Sequence, residues 1–154
     1  MAVKSSFKNM SLCLLAICLV CSALLAGVYA LTAEPIATAA AAKNEAAIKE
    51  VLPETAVTIE EERTVDFEGA SYSYNLAYDE LGNTVGCAIN VAPVGFGGPI
   101  VIKVGFDVNG CICNTKVVAQ AETPGLGAKC VEPAFSDQFK GWNPAEKDLA
   151  LKKD

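Results

Sequence analysis

The chain has 154 residues, 52% of them hydrophobic and 19% charged, with a net charge of −6 and a mean hydropathy of +0.33. That is room for one ordinary domain, and the composition is too apolar for a disordered one. Histidine is absent, which excludes a Ser-His-Asp triad, a Cys-His dyad, His-ligated zinc or haem iron and an imidazole pH switch. The acidic balance excludes nucleic acid as the main partner, because phosphate binding needs a basic face.

The charges are unevenly spread. Lys4 and Lys8 are the only charged side chains before Glu34, and all 18 acids lie from Glu34 onward, against the 10 remaining basic residues. Between them, Asn9 to Ala33 carries no charge. About 20 apolar residues at 1.5 Å each match a hydrocarbon core of about 30 Å. Tyr29 stands near the far end, where an interfacial aromatic is expected. Lys4 and Lys8 predict a cytoplasmic N-terminus by the positive-inside rule, with the acidic body on the extracytoplasmic side. Val28-Tyr29-Ala30 resembles a cleavage site, but signal-peptide apolar cores run about 7–15 residues. The length therefore favours a retained single-pass anchor.

Three cysteines, Cys13, Cys18 and Cys21, fall in this segment, where a thiol behaves as a small apolar residue. Cys87, Cys111, Cys113 and Cys130 fall in the body. Export permits disulfides, and four cysteines allow three pairings. The spacing lacks the paired CxxC knuckles of a zinc or iron–sulfur site, so buried thiols or a disulfide are expected and no metal.

Residues 34–52 are alanine-rich and predicted helical, with Ile48, Val51 and Leu52 at helical spacing and Pro53 ending the run. The acidic run Glu60-Glu61-Glu62 is expected to be a solvated face. Tyr72, Tyr74, Leu76 and Tyr78 alternate, as do Val85, Cys87, Ile89 and Val91. With the turn at 79–83 between them, 71–92 is predicted to be a hairpin. After the loop Gly95-Phe96-Gly97-Gly98, Ile100, Ile102, Val104 and Phe106 alternate again. Asn109-Gly110 signals a second hairpin, followed by a strand at about 111–120. The fold class is therefore α+β: an N-terminal transmembrane helix followed by a small, largely antiparallel sheet with flanking helices. Pro124, Gly125 and Gly127 end the last strand. Taken alone, this stretch is an ordinary turn or a place where backbone amides meet a ligand. The segment 133–142, with Phe135, Phe139 and Trp142, is expected to be a short helix or turn with aromatic anchors.

Taken together, Gly95-Phe96-Gly97-Gly98-Pro99-Ile100, Val104-Gly105-Phe106-Asp107, Glu122-Thr123-Pro124-Gly125-Leu126-Gly127 and Phe135 with Gln138-Phe139 resemble the FMN-binding domain of RnfG, the flavin-bearing subunit of the Rnf electron-transport complex. The related NqrC subunit of the sodium-pumping NADH:quinone reductase is similar, but usually has a longer body. The resemblance implies a cytoplasmic leader at 1–9, a transmembrane helix at 10–33, a helical connector at 34–60 and an FMN-binding domain at 61–154. It implies FMN as cofactor, with Glu122, Thr123, Pro124, Gly125, Leu126 and Gly127 lining it and no acid–base residue. Leu126 would cover a ring face, and Glu122 would either bond the ribityl chain or cap the loop.

The resemblance also implies an electron-transfer subunit of an ion-translocating ferredoxin:NAD+ oxidoreductase in the inner membrane. Its partners would be the other membrane subunits and a flavin transferase. In that family the flavin phosphate is esterified to a Thr or Ser in a Ser-Gly-Ala-Thr-like segment. That segment would begin about where Leu151-Lys152-Lys153-Asp154 stands, so the domain is expected to be C-terminally truncated, with covalent attachment only in a complete chain. Ser71, in Gly69-Ala70-Ser71, mimics the acceptor, but Glu68 replaces the hydroxyl residue and repels a phosphate. The alternatives are a subunit of the quinone-reductase type, or a membrane-tethered binding or structural protein without flavin.

Overall fold

A computed structural model describes residues 7–146. Lys4 of the leader and the terminal Leu151–Asp154 segment lie outside the described residues. The chain forms two compact units, one up to Ala42 and one from Lys43 onward.

A single helix, α1, runs from Phe7 to Val51 and contains Pro35. Its first unit is long and apolar enough to cross a membrane. Leu14, Leu19 and Leu25 are exposed, as befits an element solvated by lipid tails rather than by a protein core. It has the length and composition expected of the predicted single-pass anchor. The connector expected to be helical over 34–60 is helical only as far as Val51, and Thr58–Ile59 near its far end are a strand; α1 ends two residues before Pro53, as expected of a residue that cannot continue a helix.

The body is a six-stranded antiparallel sheet: β1 (Thr58–Ile59), β2 (Arg63–Phe67), β3 (Ala70–Tyr78), β4 (Thr84–Val91), β5 (Val101–Asp107) and β6 (Ile112–Ala119). The order is β1-β3-β4-β5-β6, with β2 also pairing β3. The predicted hairpins are β3–β4 and β5–β6. Each turn is built around an aspartate. Asp79 Oδ1 accepts the N–H groups of Leu81 at 2.9 Å and Asn83 at 2.8 Å. Asp107 Oδ1 accepts those of Asn109 at 2.8 Å and Cys111 at 2.9 Å. Strands β1 and β2 are additions to the sequence expectation, because the acidic run between them hides their short periodicity. Glu61 and Glu62 are exposed as expected. Glu60 is half-buried, accepts from the Tyr78 hydroxyl at 3.1 Å and pairs with Arg63.

The core lies where the C-terminal end of α1 meets the sheet. Ile48, Val51 and Leu52 pack on Ala77 and Ala88. The sheet face beneath them is made of small residues, which lets the helix backbone lie directly on the strands. A Cβ at Gly105 would collide with the Val51 carbonyl, and one at Gly86 with the Phe106 carbonyl. Val51 is wholly buried, which stabilises the body by roughly 1.5–3 kcal/mol.

One register step from these small residues runs a polar row, Ser73–Asn90–Lys103–Lys116. Lys103 is 1% exposed and donates to Asn90 Oδ1. Asn90 in turn donates to Glu62 at 2.6 Å and to Ser73 Oγ at 2.8 Å. Lys116 pairs with Glu50 at 2.8 Å. The alternate residues, among them Tyr74, Leu76, Cys87, Ile89, Val104 and Phe106, line an open apolar groove of about 510 Å³ on the other face.

After β6 come a 3-10 turn (Gly127–Val131), α2 (Pro133–Ser136) and a second 3-10 turn (Asp137–Phe139). Phe135 and Phe139 meet edge to face at 5.3 Å, so the aromatic anchors are in place. Gly141 and Trp142 then hydrogen-bond Ile112 at 2.7 and 2.8 Å, covering one end of the β6 edge.

Candidate functional site

The two glycine-bearing loops are separated in sequence by all of β5 and β6. The β5–β6 register brings them together, because Val101, where β5 begins, pairs with Ala119, where β6 ends. The loop 93–100 is a tight reversal. The Gly95 N–H donates to the Gly98 carbonyl at 2.8 Å, and the Ile100 N–H to the Pro93 carbonyl at 2.9 Å. This puts Phe96 and Gly97 at the tip, with Phe96 98% exposed.

The loop 121–128 is held by a second set of backbone bonds. The N–H groups of Leu126 and Ala128 both donate to the Thr123 carbonyl, at 3.1 and 3.3 Å. Gly125 turns the chain with φ +78°, in the left-handed region that disfavours side chains. A Cβ there would meet nothing within 4 Å, so its glycine serves the turn rather than a neighbour. Leu126 is 73% exposed.

Glu122 joins the loops. Its Oε1 accepts the Gly97 N–H at 2.9 Å. A Cβ on Gly95 would collide with Oε1, and one on Gly127 would lie 2.6 Å from Oε2. The half-buried carboxylate therefore sits between both glycine segments. The six residues expected from the resemblance form one contiguous turn, and Phe96 joins them from the other loop. The sequence shows Phe96 only as a member of a glycine motif, with no role of its own. An aromatic between glycines, which bury nothing around it, is the signal that marks it.

At the same end of the sheet, the loop stems Pro93 and Val101 line a cavity of about 760 Å³ with Thr64, Ser71, Ser73 and Asn90. Ser71 thus stands near the loops, with its hydroxyl donated to Asp66. Lys43, the first residue of the body, reaches the Val118 carbonyl at this end too. Lys103 is a buried charge that the sequence alone does not reveal, because one lysine among apolar alternation looks solvent-facing. Burial lowers its pKa, which the negative charge of Glu62 partly offsets.

All seven cysteines are free thiols. Burial pushes the Cys87, Cys111 and Cys113 thiols up, away from reactive thiolate character. Among the described residues, no group of three or more Cys, Asp or Glu is placed to hold a metal.

Two sequence families match. The RnfG N-terminal region matches residues 1–51, and the FMN-binding domain matches residues 95–154. Among curated proteins, the chain is 35% identical over 126 residues to the G subunit of the ion-translocating oxidoreductase complex of Methanosarcina acetivorans, covering 78% of this chain and 65% of that one. It is 32% identical over 136 residues to the protein of the same name from Haemophilus influenzae, covering 82% and 63%. A shorter match, 32% over 72 residues, is to the G subunit of the Na(+)-translocating ferredoxin:NAD(+) oxidoreductase complex of Acetobacterium woodii, covering 46% and 34%. The chain thus spans less than two thirds of the length of these relatives.

Proposed function

Because the chain is an FMN-binding-domain protein resembling RnfG of the Rnf-type complexes, we propose that it is a membrane-anchored subunit that passes electrons through FMN within an ion-translocating oxidoreductase. The observation that carries this reading is where the FMN-binding match begins. It starts at Gly95, so the Gly95–Gly98 tip and the loop 121–128 that Glu122 bridges fall inside it, while the long apolar helix falls inside the other match.

The residues fit a flavin. Two exposed apolar side chains, Phe96 and Leu126, flank glycine backbone at the end of a rigid sheet, and the space over Gly125 is open. Apolar cover with a few backbone polar groups is how planar ligands are held. The flavin would supply the one- and two-electron chemistry, and the protein position and electrostatics. Outer-sphere electron transfer needs no proton-relaying imidazole, which agrees with a chain that has no histidine. In this reading the turn made of Glu122, Thr123, Pro124, Gly125, Leu126 and Gly127 forms one wall of the cofactor site. The other membrane subunits and a flavin transferase are the partners, and the body lies on the extracytoplasmic side of the inner membrane.

The test is to purify the full chain from cells that co-express its flavin transferase and to record its visible spectrum before and after denaturation and acid precipitation. A flavin spectrum in the native protein is expected. A colourless protein that takes up no FMN when it is added would leave the non-redox tethered protein as the better reading. Colour that stays with the acid precipitate would show covalent attachment, and Ser71→Ala then asks whether Ser71 is the acceptor.

A further inference from the structure

Resting on that reading, we propose that Glu122 is a positioning residue rather than a flavin ligand. Its carboxylate holds the loop 95–98 against the loop 122–127, so that Phe96 and Leu126 grip the flavin ring together.

Three observations lead there. First, the Glu122 carboxylate is committed within the protein. Oε1 takes the Gly97 N–H at 2.9 Å, and both oxygens stand where side chains at Gly95 and Gly127 would have to be. Oε1 is thus engaged in holding Gly97, and the carboxylate lies between the two glycine segments. Second, two exposed hydrophobes of this end adjoin its contacts. Phe96 precedes Gly97, and Leu126 precedes Gly127. An aromatic 98% exposed at a loop tip does nothing for the packing of the body, and it costs apolar surface in water. Contact with a planar aromatic ligand recovers that surface. Third, the tip has no other tie to the loop 122–127 among the described hydrogen bonds than the one from Gly97 to Glu122. Removing the carboxylate removes the hydrogen bond that ties the tip carrying Phe96 to the loop 122–127.

The experiment titrates FMN into the detergent-solubilised full chain and follows the quenching of flavin fluorescence. Phe96→Ala is expected to weaken FMN binding by about tenfold, the loss of one aromatic contact, and to relieve part of the quenching. Glu122→Ala is expected to do the same, and Glu122→Gln, which keeps an acceptor oxygen for Gly97, to recover most of the affinity. The double variant Phe96→Ala/Glu122→Ala is expected to bind no worse than either single variant, because Glu122 acts through Phe96.

Losses that multiply in the double variant would overturn the positioning role, as would Glu122→Gln behaving like Glu122→Ala. Unchanged affinity and fluorescence in Phe96→Ala would overturn the ring contact. That variant alters only an exposed tip, so it stays informative if Glu122→Ala fails to fold. Failure of the unaltered chain to bind FMN at all is the separate outcome that removes the flavoprotein reading.

Discussion

The two faces of the sheet divide their work against their size. The face under α1 carries Ala77, Gly86, Ala88 and Gly105, yet it is the buried one. The opposite face carries Tyr74, Leu76, Ile89 and Phe106, yet it borders an open groove. Large side chains alone therefore do not mark the core. What marks it is how closely another backbone approaches, and a helix can rest directly on strands only where Cβ atoms are small or missing. The covered face also includes the polar row with its buried lysine, whereas the groove side has almost no polar lining.

The sharpest way to break this contrast is Gly105→Val. It puts a branched side chain where the Val51 carbonyl already lies, and overpacking of this kind costs about 3 kcal/mol. Urea unfolding of the detergent-solubilised chain, followed by circular dichroism, checks it. The matching change on the open face is Ile89→Ser. It should cost only about 1 kcal/mol, because the side chain is half-exposed and a full apolar burial is worth only two or three times that. Equal losses for the two variants would show that the faces do not differ.

The third prediction concerns Lys103, whose pKa burial lowers. The folded chain gives up this proton before the unfolded chain does. The unfolded state therefore binds more protons as pH rises toward the ordinary lysine value of about 10.4, and stability rises over that window. The raised pKa values of Cys87, Cys113 and Tyr78 act in the opposite sense. The contribution of Lys103 is thus read as the difference between the unaltered chain and Lys103→Met, which should lack the rise. Replacing a buried charge by an apolar isostere is otherwise often neutral or stabilising. Melting curves from pH 7 to 10 measure it.

The smallest effect is expected at a turn that belongs to neither face. The N–H of Cys111, followed by the backbone and side chain of Asn109, holds the Asp107 carboxyl below its usual range. Its contribution is present above the ordinary aspartate value of about 3.9 and is lost as pH falls through the lower folded value. Asp107→Asn should flatten the acid limb of the stability curve slightly, and melts between pH 2 and 5 would show it.

Much was legible without coordinates because it depends on neighbours in sequence. An uncharged run of membrane length makes a helix whatever follows it. Period-2 alternation with Asn109-Gly110 and the 79–83 turn makes hairpins, since turn geometry sets their register. Pro53 stops α1, and Pro124 with two glycines stops the last strand. The Glu122–Gly127 motif was visible as a string. Three things waited for the tertiary structure. The β5–β6 register decided that the loops 93–100 and 122–127 share one end of the sheet and that Glu122 reaches Gly97, a contact across 25 residues. The approach of α1 decided which strand face was buried, because alternation shows that there are two faces and not which one is covered. Packing also decided that Lys103 lies inside, since its cost of burial is offset by Asn90 and Glu62 from other segments, and no local pattern carries a partner that folding alone brings near.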